Sequence, residues 1–96
     1  MIISFADKAT SDLYHGKSSG RVRKLPSQIL ESSLHKLDVL NAAQILDDLR
    51  SPPGNRLEAL TGDYSGFHSI RINSQWRIVF RWEGLNAHDV KIIDYH

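Results

Sequence analysis

The stretch WRIVFRW, from Trp76 to Trp82, alternates large apolar side chains with two arginines and a valine. Successive side chains of a β-strand point to opposite faces of the sheet, so this two-residue period predicts a strand. One face of the strand is apolar and carries Trp76, Ile78, Phe80 and Trp82. The other face carries Arg77, Val79 and Arg81. We therefore expect a core to cover the first face and the second face to be available for function.

Further short strands are predicted on both sides of this segment. Phe67–Asn73 is expected to be the preceding strand, with Asn73–Gln75 as the hairpin connection and Glu83–Asn86 as a second turn. His88–Ile93 is expected to close the sheet, and Arg56–Leu60 to open it. Because consecutive strands joined by short turns pair antiparallel, the sheet is predicted to be mainly antiparallel.

The first half of the chain has a different pattern, which predicts helices. An opening strand is expected at Met1–Phe5, followed by a helix that Asp7 caps and Gly16 ends. Pro26 suits the first turn of a second helix, and a short third helix is expected over Asn41–Leu49. Helices followed by consecutive strands predict an α+β fold, with the N-terminal helices packed on one face of the sheet.

The composition is that of an ordinary globular protein. The 96 residues suit a single domain, 1–96, with 41% hydrophobic and 24% charged residues. The formal net charge is only +1, so a nucleic-acid partner would have to be bound by a local patch. There is no cysteine, and no apolar run is long enough to span a membrane. We expect a cytoplasmic protein without disulfides or thiolate metal sites.

Four arginines fall in the predicted strands: Arg56, Arg71, Arg77 and Arg81. Each of them alone is commonly a solvent-facing side chain. Arg77 and Arg81 share a face, however, and Arg71 lies just across a short hairpin, so together they predict a concentrated cationic surface. Guanidinium groups match the geometry of phosphate and stabilise charge that develops on it, which indicates a phosphate-bearing substrate.

Candidate acid–base groups lie in the same half of the chain. Glu58 falls in the predicted first strand, where a solvent-facing position is the alternative to a catalytic one. The sequence Asp94-Tyr95-His96 follows an apolar strand that would bring a ring and an imidazole to the rim of the sheet, unless the tail is idle. The histidines show no metal-ligand spacing and no Gly-rich phosphate loop is present, so we expect neither metal nor cofactor.

The chain resembles the HigB (host inhibition of growth) toxins of the RelE superfamily. The segments that carry the resemblance are Met1–Phe5, Leu37-Asp38, Leu60-Thr61-Gly62-Asp63, Ser69-Ile70, Trp76-Arg77 and Asp94-Tyr95-His96. Single segments are weak signals. A Leu-x-Gly-Asp turn, a Trp-Arg strand start and a terminal Asp-Tyr-His in this order and spacing are together highly specific, and the resemblance runs through the whole chain.

This resemblance implies a RelE-like microbial-RNase fold and the toxin role in a type II toxin–antitoxin system. It implies an endoribonuclease that cleaves translated mRNA on the ribosome and thereby inhibits translation and growth. The implied partner is a helix-turn-helix antitoxin of the HigA kind. Operator DNA would be contacted only through the toxin–antitoxin complex, and no membrane association is implied.

The resemblance also implies roles for individual residues. The strand arginine of the family corresponds to Arg77, and its C-terminal acid, tyrosine and histidine correspond to Asp94–His96. The chain has Glu58 where many members have a histidine, and Thr61 where they have a lysine that binds phosphate. Glu58 is instead similar to the general-base glutamate of YoeB-like toxins, a second branch of the superfamily.

These residues predict metal-free transesterification within the RNA chain. Glu58 would be the base, His96 the acid and Arg77 the group that stabilises the phosphorane. The other expected site residues bind phosphate or a nucleobase, or orient the catalytic groups: Arg56, Arg71, Arg81, Asp94 and Tyr95.

Two other interpretations of the sequence stay open. ParE-like toxins share the architecture but bind DNA gyrase and lack the catalytic set. An attenuated remnant would bind antitoxin with little activity, and Thr61 in place of lysine is compatible with that. The basic stretch Lys17–Lys24 is a solvated loop, an rRNA contact or a segment that the antitoxin orders.

Overall fold

The computed structural model of the chain describes residues 1–95. Within that range the helices come first: α1 (Lys8–Tyr14), α2 (Gly20–Arg23) and α3 (Ser27–Ala42). The strands follow: β1 (Glu58–Ala59), β2 (His68–Arg71), β3 (Trp76–Glu83) and β4 (Asn86–Asp94). Short 3-10 turns at Leu46–Arg50, Pro53–Asn55 and Gly62–Tyr64 connect them. None of the helices described in residues 1–95 is long and apolar enough to cross a membrane.

The four strands form one antiparallel sheet in chain order, β1-β2-β3-β4. The predicted antiparallel sheet is therefore confirmed. The expected opening strand at Met1–Phe5 is reduced to two isolated parallel bridges, Ile2 with Ala87 and Phe5 with Val90. Near the middle of the β3–β4 pair the register shifts by one residue, and Asp89 there has a left-handed backbone (φ 52°). Such a shift is a β-bulge, which re-aims the side chains beyond it.

The helix boundaries follow from local hydrogen bonds. Asp7 caps α1 as predicted, because its side chain accepts from the backbone N–H of Thr10 at 2.9 Å. Gly16, expected to end the helix, lies two residues after α1 with φ 73°, a left-handed conformation that glycine adopts without strain. Part of the basic stretch Lys17–Lys24 forms α2, which Ser19 caps by accepting from the N–H of Val22.

The predicted third helix over Asn41–Leu49 is wrong. α3 continues through Asn41, whose side-chain oxygen accepts from the N–H of Ile2 instead of capping a new helix. The chain then forms only a 3-10 turn at Leu46–Arg50. Asp48 stabilises the start of that turn, and hydrogen bonds from the backbone N–H groups of Gln44 and Ile45 lower the pKa of its carboxyl.

The core lies between α3 and one face of the sheet. The residues that meet there are buried: Ile29, Leu37 and Leu40 from α3, and Ile70, Ile78, Phe80, Val90 and Ile92 from the strands. Trp76 and Trp82 pack against this cluster, so the predicted apolar face of the WRIVFRW strand is confirmed. Burial of a side chain such as Phe80 contributes roughly 1.5–3 kcal/mol. The opposite face of β3 carries Arg77 and Arg81, and we call it the open face.

Candidate functional site

Arg77 and Glu58 meet on the open face. Arg77 Nη1 donates to Glu58 Oε1 at 3.2 Å, and Arg77 Nη2 donates to the backbone carbonyl of Arg56 at 2.5 Å. The Arg77 side chain is only 8% exposed, whereas that of Glu58 is 48% exposed. The pair is therefore asymmetric, with a buried cation that holds a carboxylate at the surface. A carboxylate in this position can accept a proton from a molecule that approaches from solvent.

The loop before β1 presents the Arg56 carbonyl to Arg77. Asn55 is fully buried, and its Nδ2 donates to the carbonyls of Leu49 and Ser51, both at 3.2 Å. The next residue, Arg56, has a left-handed backbone (φ 46°, ψ 57°), which is uncommon for a residue with a Cβ. We infer that the anchoring of Asn55 holds this conformation, since such a backbone persists only when its surroundings over-determine it.

Tyr95 completes the cluster from the residue after β4. Its ring lies 5.4 Å from the guanidinium carbon of Arg77, within cation–π range. Its backbone N–H donates to the carbonyl of Gln75 at 2.6 Å, which ties the segment after β4 to the hairpin before β3. The side chain of Gln75 also donates to Asp94 Oδ2 at 3.1 Å. Gln75 thus positions Asp94 by donating a hydrogen bond and Tyr95 by accepting one.

An open cleft of about 170 Å³ lies beside these groups. Its lining residues are Glu58, Ala59, Leu60, Thr61, Tyr64 and Tyr95. Glu58 and Tyr95 lie on its walls, and the turn at Gly62–Tyr64 brings Tyr64 there. Tyr64 was not among the residues expected from the sequence, although an aromatic residue directly after the Leu-x-Gly-Asp turn is a usable signal for it. The cleft offers a proton acceptor and two aromatic rings to a bound molecule.

Arg81 is not part of this cluster. Its Nε donates to Asp89 at 2.8 Å, and its Nη1 lies 3.1 Å from Glu83 Oε1. The hydrogen bond with Asp89 raises the pKa of Arg81 further above its ordinary value. Arg81 lies four residues after Arg77 along the strand, a distance of about 13 Å. Arg81 therefore does not extend the cationic surface predicted around Arg77 and Arg71, because its guanidinium already binds two carboxylates.

The remaining expected residues have different positions. Arg71 pairs directly with Arg77 in the β2–β3 register and is half-buried, and within residues 1–95 it has no ion-pair partner. Arg56 is exposed, and its contact with the cluster is made by its backbone carbonyl. His96 lies outside the described residues. In the part of the chain that is described, no group of three histidine, aspartate or glutamate residues could hold a metal ion.

Comparison with known proteins agrees with this architecture. A family model described as the RelE-like toxin of the type II toxin-antitoxin system HigB matches residues 3–96. Toxin HigB-1 of Vibrio cholerae serotype O1 is 44% identical over 82 residues, which cover 85% of this chain and 84% of that protein. Endoribonuclease HigB of Proteus vulgaris is 30% identical over 97 residues, which cover 100% of both chains.

Several solved structures share the fold. The YoeB-YefM complex from Staphylococcus aureus matches with a TM-score of 0.60 at 14% identity, covering 100% of this chain and 98% of that one. YafQ from E. coli matches with a TM-score of 0.56 at 11% identity, covering 98% and 93%. The fold is thus RelE-like, and since the family model spans nearly the entire sequence, the chain belongs to the HigB-like family of type II toxin–antitoxin toxins.

Proposed function

We propose that this toxin is a ribosome-dependent endoribonuclease that cleaves translated mRNA without a metal ion. Its family and its likeness to a protein named Endoribonuclease HigB support an RNA substrate. The observation that carries the proposal is the cluster of Glu58, Arg77 and Tyr95 on the open face. A carboxylate 3.2 Å from a guanidinium, with an aromatic ring beside it, suits attack on a phosphodiester next to a nucleobase.

Glu58 is the proposed general base. It removes the proton from a ribose 2′-OH, and the resulting oxygen attacks the adjacent phosphorus while the bond to the 5′-oxygen breaks. The products are a 2′,3′-cyclic phosphate and a 5′-hydroxyl. Glu58 suits this role because half of its side chain is exposed at the wall of the cleft, where a ribose can approach.

Arg77 is the proposed stabiliser of the phosphorane. Its Nη1 and Nη2 atoms bind Glu58 and the Arg56 carbonyl in the resting chain, and each of them carries a second N–H group that can donate to a phosphate. Hydrogen bonds from a guanidinium to phosphate are charge-assisted and about twice as strong as neutral ones, which favours binding of the phosphate here. A carboxylate that accepts one hydrogen bond keeps further lone pairs, so Glu58 can accept the ribose proton while Arg77 stays beside it.

The remaining proposed roles surround these two groups. His96 protonates the departing 5′-oxygen, Asp94 orients its neighbours, and Tyr95 stacks on a splayed base. The Arg71 and Arg56 side chains add positive charge near the phosphate, and Arg71 is close because it pairs with Arg77 across the strands. Arg81 is left out of this proposal, since its guanidinium already binds two carboxylates.

The small size of the cleft supports a role for the ribosome. Pockets that hold a drug-sized ligand usually have volumes of about 300–1,000 Å³, and this cleft has about 170 Å³. A cleft of that size does not enclose a nucleotide, so the chain alone has little means to fix RNA in an attack-ready geometry. A ribosome that holds the mRNA would supply that positioning, which lowers the barrier substantially. We therefore expect the free protein to cleave naked RNA poorly.

A cytoplasmic helix-turn-helix antitoxin is the proposed protein partner. The structurally similar YoeB was solved in complex with YefM, which is a statement about that toxin, and the family of this chain is defined by a toxin–antitoxin system. Operator DNA would be contacted through the antitoxin. Co-purification of the tagged neighbouring gene product with this chain tests the pairing, and the absence of a stable complex would contradict it.

Mapping of mRNA 5′ ends in cells after induction tests the proposed activity. We expect new ends within translated frames that disappear when translation is blocked by an initiation inhibitor. The variant Arg77→Ala should give none of these ends, whereas Arg81→Ala should give the wild-type pattern. Gyrase-dependent DNA breaks in place of mRNA ends would support the ParE-like alternative. Antitoxin binding without either kind of damage would indicate an attenuated remnant.

A further inference from the structure

The side chain of Arg77 crosses an entire strand. Arg77 is in β3, its partners Glu58 and the Arg56 carbonyl are at or before β1, and β2 lies between those two strands. Adjacent strands are about 4.8 Å apart, so the guanidinium spans roughly 10 Å across the open face. A β2 side chain that points to the open face along this path is therefore covered by the arginine.

Ser69 is the residue of β2 on this path. In the register it pairs with Glu58 on one side and with Val79 on the other, so these three residues form one row on the open face. Arg77 belongs to the next row, beside it. Although Ser69 is on the face without helices, it is completely buried. We infer that the stem of Arg77 covers it, and that the small side chain of Ser69 leaves room for the crossing.

Two buried polar atoms in this place are unpartnered. Within residues 1–95, neither Ser69 Oγ nor Arg77 Nε makes a hydrogen bond. An arginine Nε–H is only a donor, and a serine hydroxyl can accept as well as donate. The two atoms are thus complementary, belong to neighbouring rows of adjacent strands, and are both shielded from water. Buried polar groups rarely stay unsatisfied, so a small rotation that joins them is favoured.

We propose that Ser69 is a positioning residue for Arg77, whose Nε–H donates to the Ser69 hydroxyl. This inference rests on the proposed function and deepens it. The bond holds the inner end of the guanidinium while the outer N–H groups of Nη1 and Nη2 bind an RNA phosphate. Without it, the orientation of the guanidinium toward the phosphate would be less well fixed. Ser69 itself touches neither RNA nor the reacting atoms.

The test compares two serine-to-alanine variants. Ser69→Ala removes the proposed acceptor, and Ser33→Ala is the matched control. Ser33 is equally buried, its hydroxyl is likewise unpartnered within residues 1–95, and it lies in α3 on the other side of the sheet. Ser69→Thr keeps a hydroxyl and serves as the rescue variant. Melting temperatures establish that each variant is folded, and the alanine comparison stands even where the threonine variant does not fold.

The first readout is hydrogen exchange of the Arg77 Nε–H, followed by ¹⁵N NMR and assigned by its loss in Arg77→Lys. One net hydrogen bond corresponds to about a two- to tenfold change in an equilibrium, so exchange should be faster by that factor in Ser69→Ala. Ser33→Ala should exchange like the wild type. Equal exchange in wild type and Ser69→Ala would overturn the inference, whatever the cleavage assay shows.

The second readout is single-turnover cleavage of mRNA on ribosomes. We expect Ser69→Ala to lower the cleavage rate at saturating ribosomes by about two- to tenfold, and Ser69→Thr to restore it. An unchanged rate in Ser69→Ala would overturn the positioning role. A wild-type chain that cuts no RNA would overturn the proposed function alone, since the NMR comparison would still decide whether Ser69 holds Arg77.

Discussion

The two ends of the open face of β3 carry the same residue in different surroundings. Arg77 is 8% exposed and shares its contacts between one carboxylate and a backbone carbonyl, which use one N–H group each of Nη1 and Nη2. Arg81 is 35% exposed and binds two carboxylates, Asp89 and Glu83. The Arg77 end therefore keeps donor capacity for a further anion, whereas the Arg81 end is neutralised. Residue type and strand face are equal at both ends, so the neighbours decide the chemistry.

The neighbours differ because the strands differ in length and regularity. At the Arg77 end, short β1 and the left-handed Arg56 bring one carboxylate and one carbonyl to the sheet. At the Arg81 end, the bulge at Asp89 aims a second carboxylate at the arginine, beside the one from Glu83. An extra residue in β4 thus converts an arginine that the sequence marks as a phosphate ligand into part of an ion-pair network.

The largest expected effect is a difference in cleavage rate between variants of Glu58 and Glu83. Glu58→Gln should lower the single-turnover cleavage rate on ribosomes by about 10²–10⁴-fold, because it removes the proposed base. Glu83→Gln removes a carboxylate that also pairs with a β3 arginine, and should leave the rate unchanged. The rates are measured on purified ribosomes with a short translated mRNA. Similar losses in both variants would contradict the distinction between the two ends.

The next largest expected effect is a difference in cleavage rate between variants of Arg77 and Arg81. Arg77→Ala should lower the cleavage rate by about 10²–10³-fold, the usual loss when an electrostatic stabiliser is removed. Arg81→Ala should retain wild-type growth arrest and cleavage. Thermal unfolding followed by circular dichroism must show both variants folded, since Arg77 is the more buried of the two. A toxic Arg77→Ala variant would refute the assigned role.

A smaller effect is expected from the ring beside Arg77. Tyr95→Ala should lower the cleavage rate by about two- to fivefold through the lost cation–π contact, and by more if the ring also stacks on RNA. Tyr95→Phe keeps the ring and should retain most of the activity. A rate that depends on the hydroxyl and not on the ring would show that Tyr95 acts through its oxygen instead.

The smallest effect concerns the bulge that neutralises Arg81. Asp89→Asn removes a carboxylate but keeps a side chain that tolerates the left-handed backbone at this position. Because exposed ion pairs contribute little, we expect Tm to fall by less than about 3 °C, with no change in cleavage. Differential scanning calorimetry measures the shift. Asp89→Ala should be less stable than Asp89→Asn, since alanine is less favourable with φ 52°.

Periodicity predicted most of the fold. The alternation in the WRIVFRW strand gave the correct core face, and the antiparallel order of the strands followed from the short turns between them. The failures lie where local signals compete. Asn41 resembles a helix cap, but its side chain binds the N–H of Ile2, which is 39 residues away. A contact over that distance cannot be deduced from local sequence.

The candidate site was predictable in part. Glu58, Arg77 and Tyr95 were expected from the sequence, and the structure brings them together, although their roles are still proposals. The burial of Arg77 could not be predicted from the sequence. Strand alternation places this residue on the face opposite the core, and it does not show that the arginine side chain extends over β2. The ion pair between Arg81 and Asp89 depends on a one-residue register shift between β3 and β4. The periodic pattern of β3 does not reveal this shift.

The bridges between the N-terminal segment and β4 bear on how the chain folds while it is being synthesised. The N–H of Asp89 donates to the hydroxyl of Ser4, a contact that joins residues 85 positions apart. At translation rates of roughly 5–20 residues per second, β4 is made about 4–17 s after the segment that it pairs with. The first residues cannot form these contacts until β4 has been synthesised, and Tyr95 is synthesised after β4. A nascent chain therefore assembles its complete open face late, only after β4 has been synthesised.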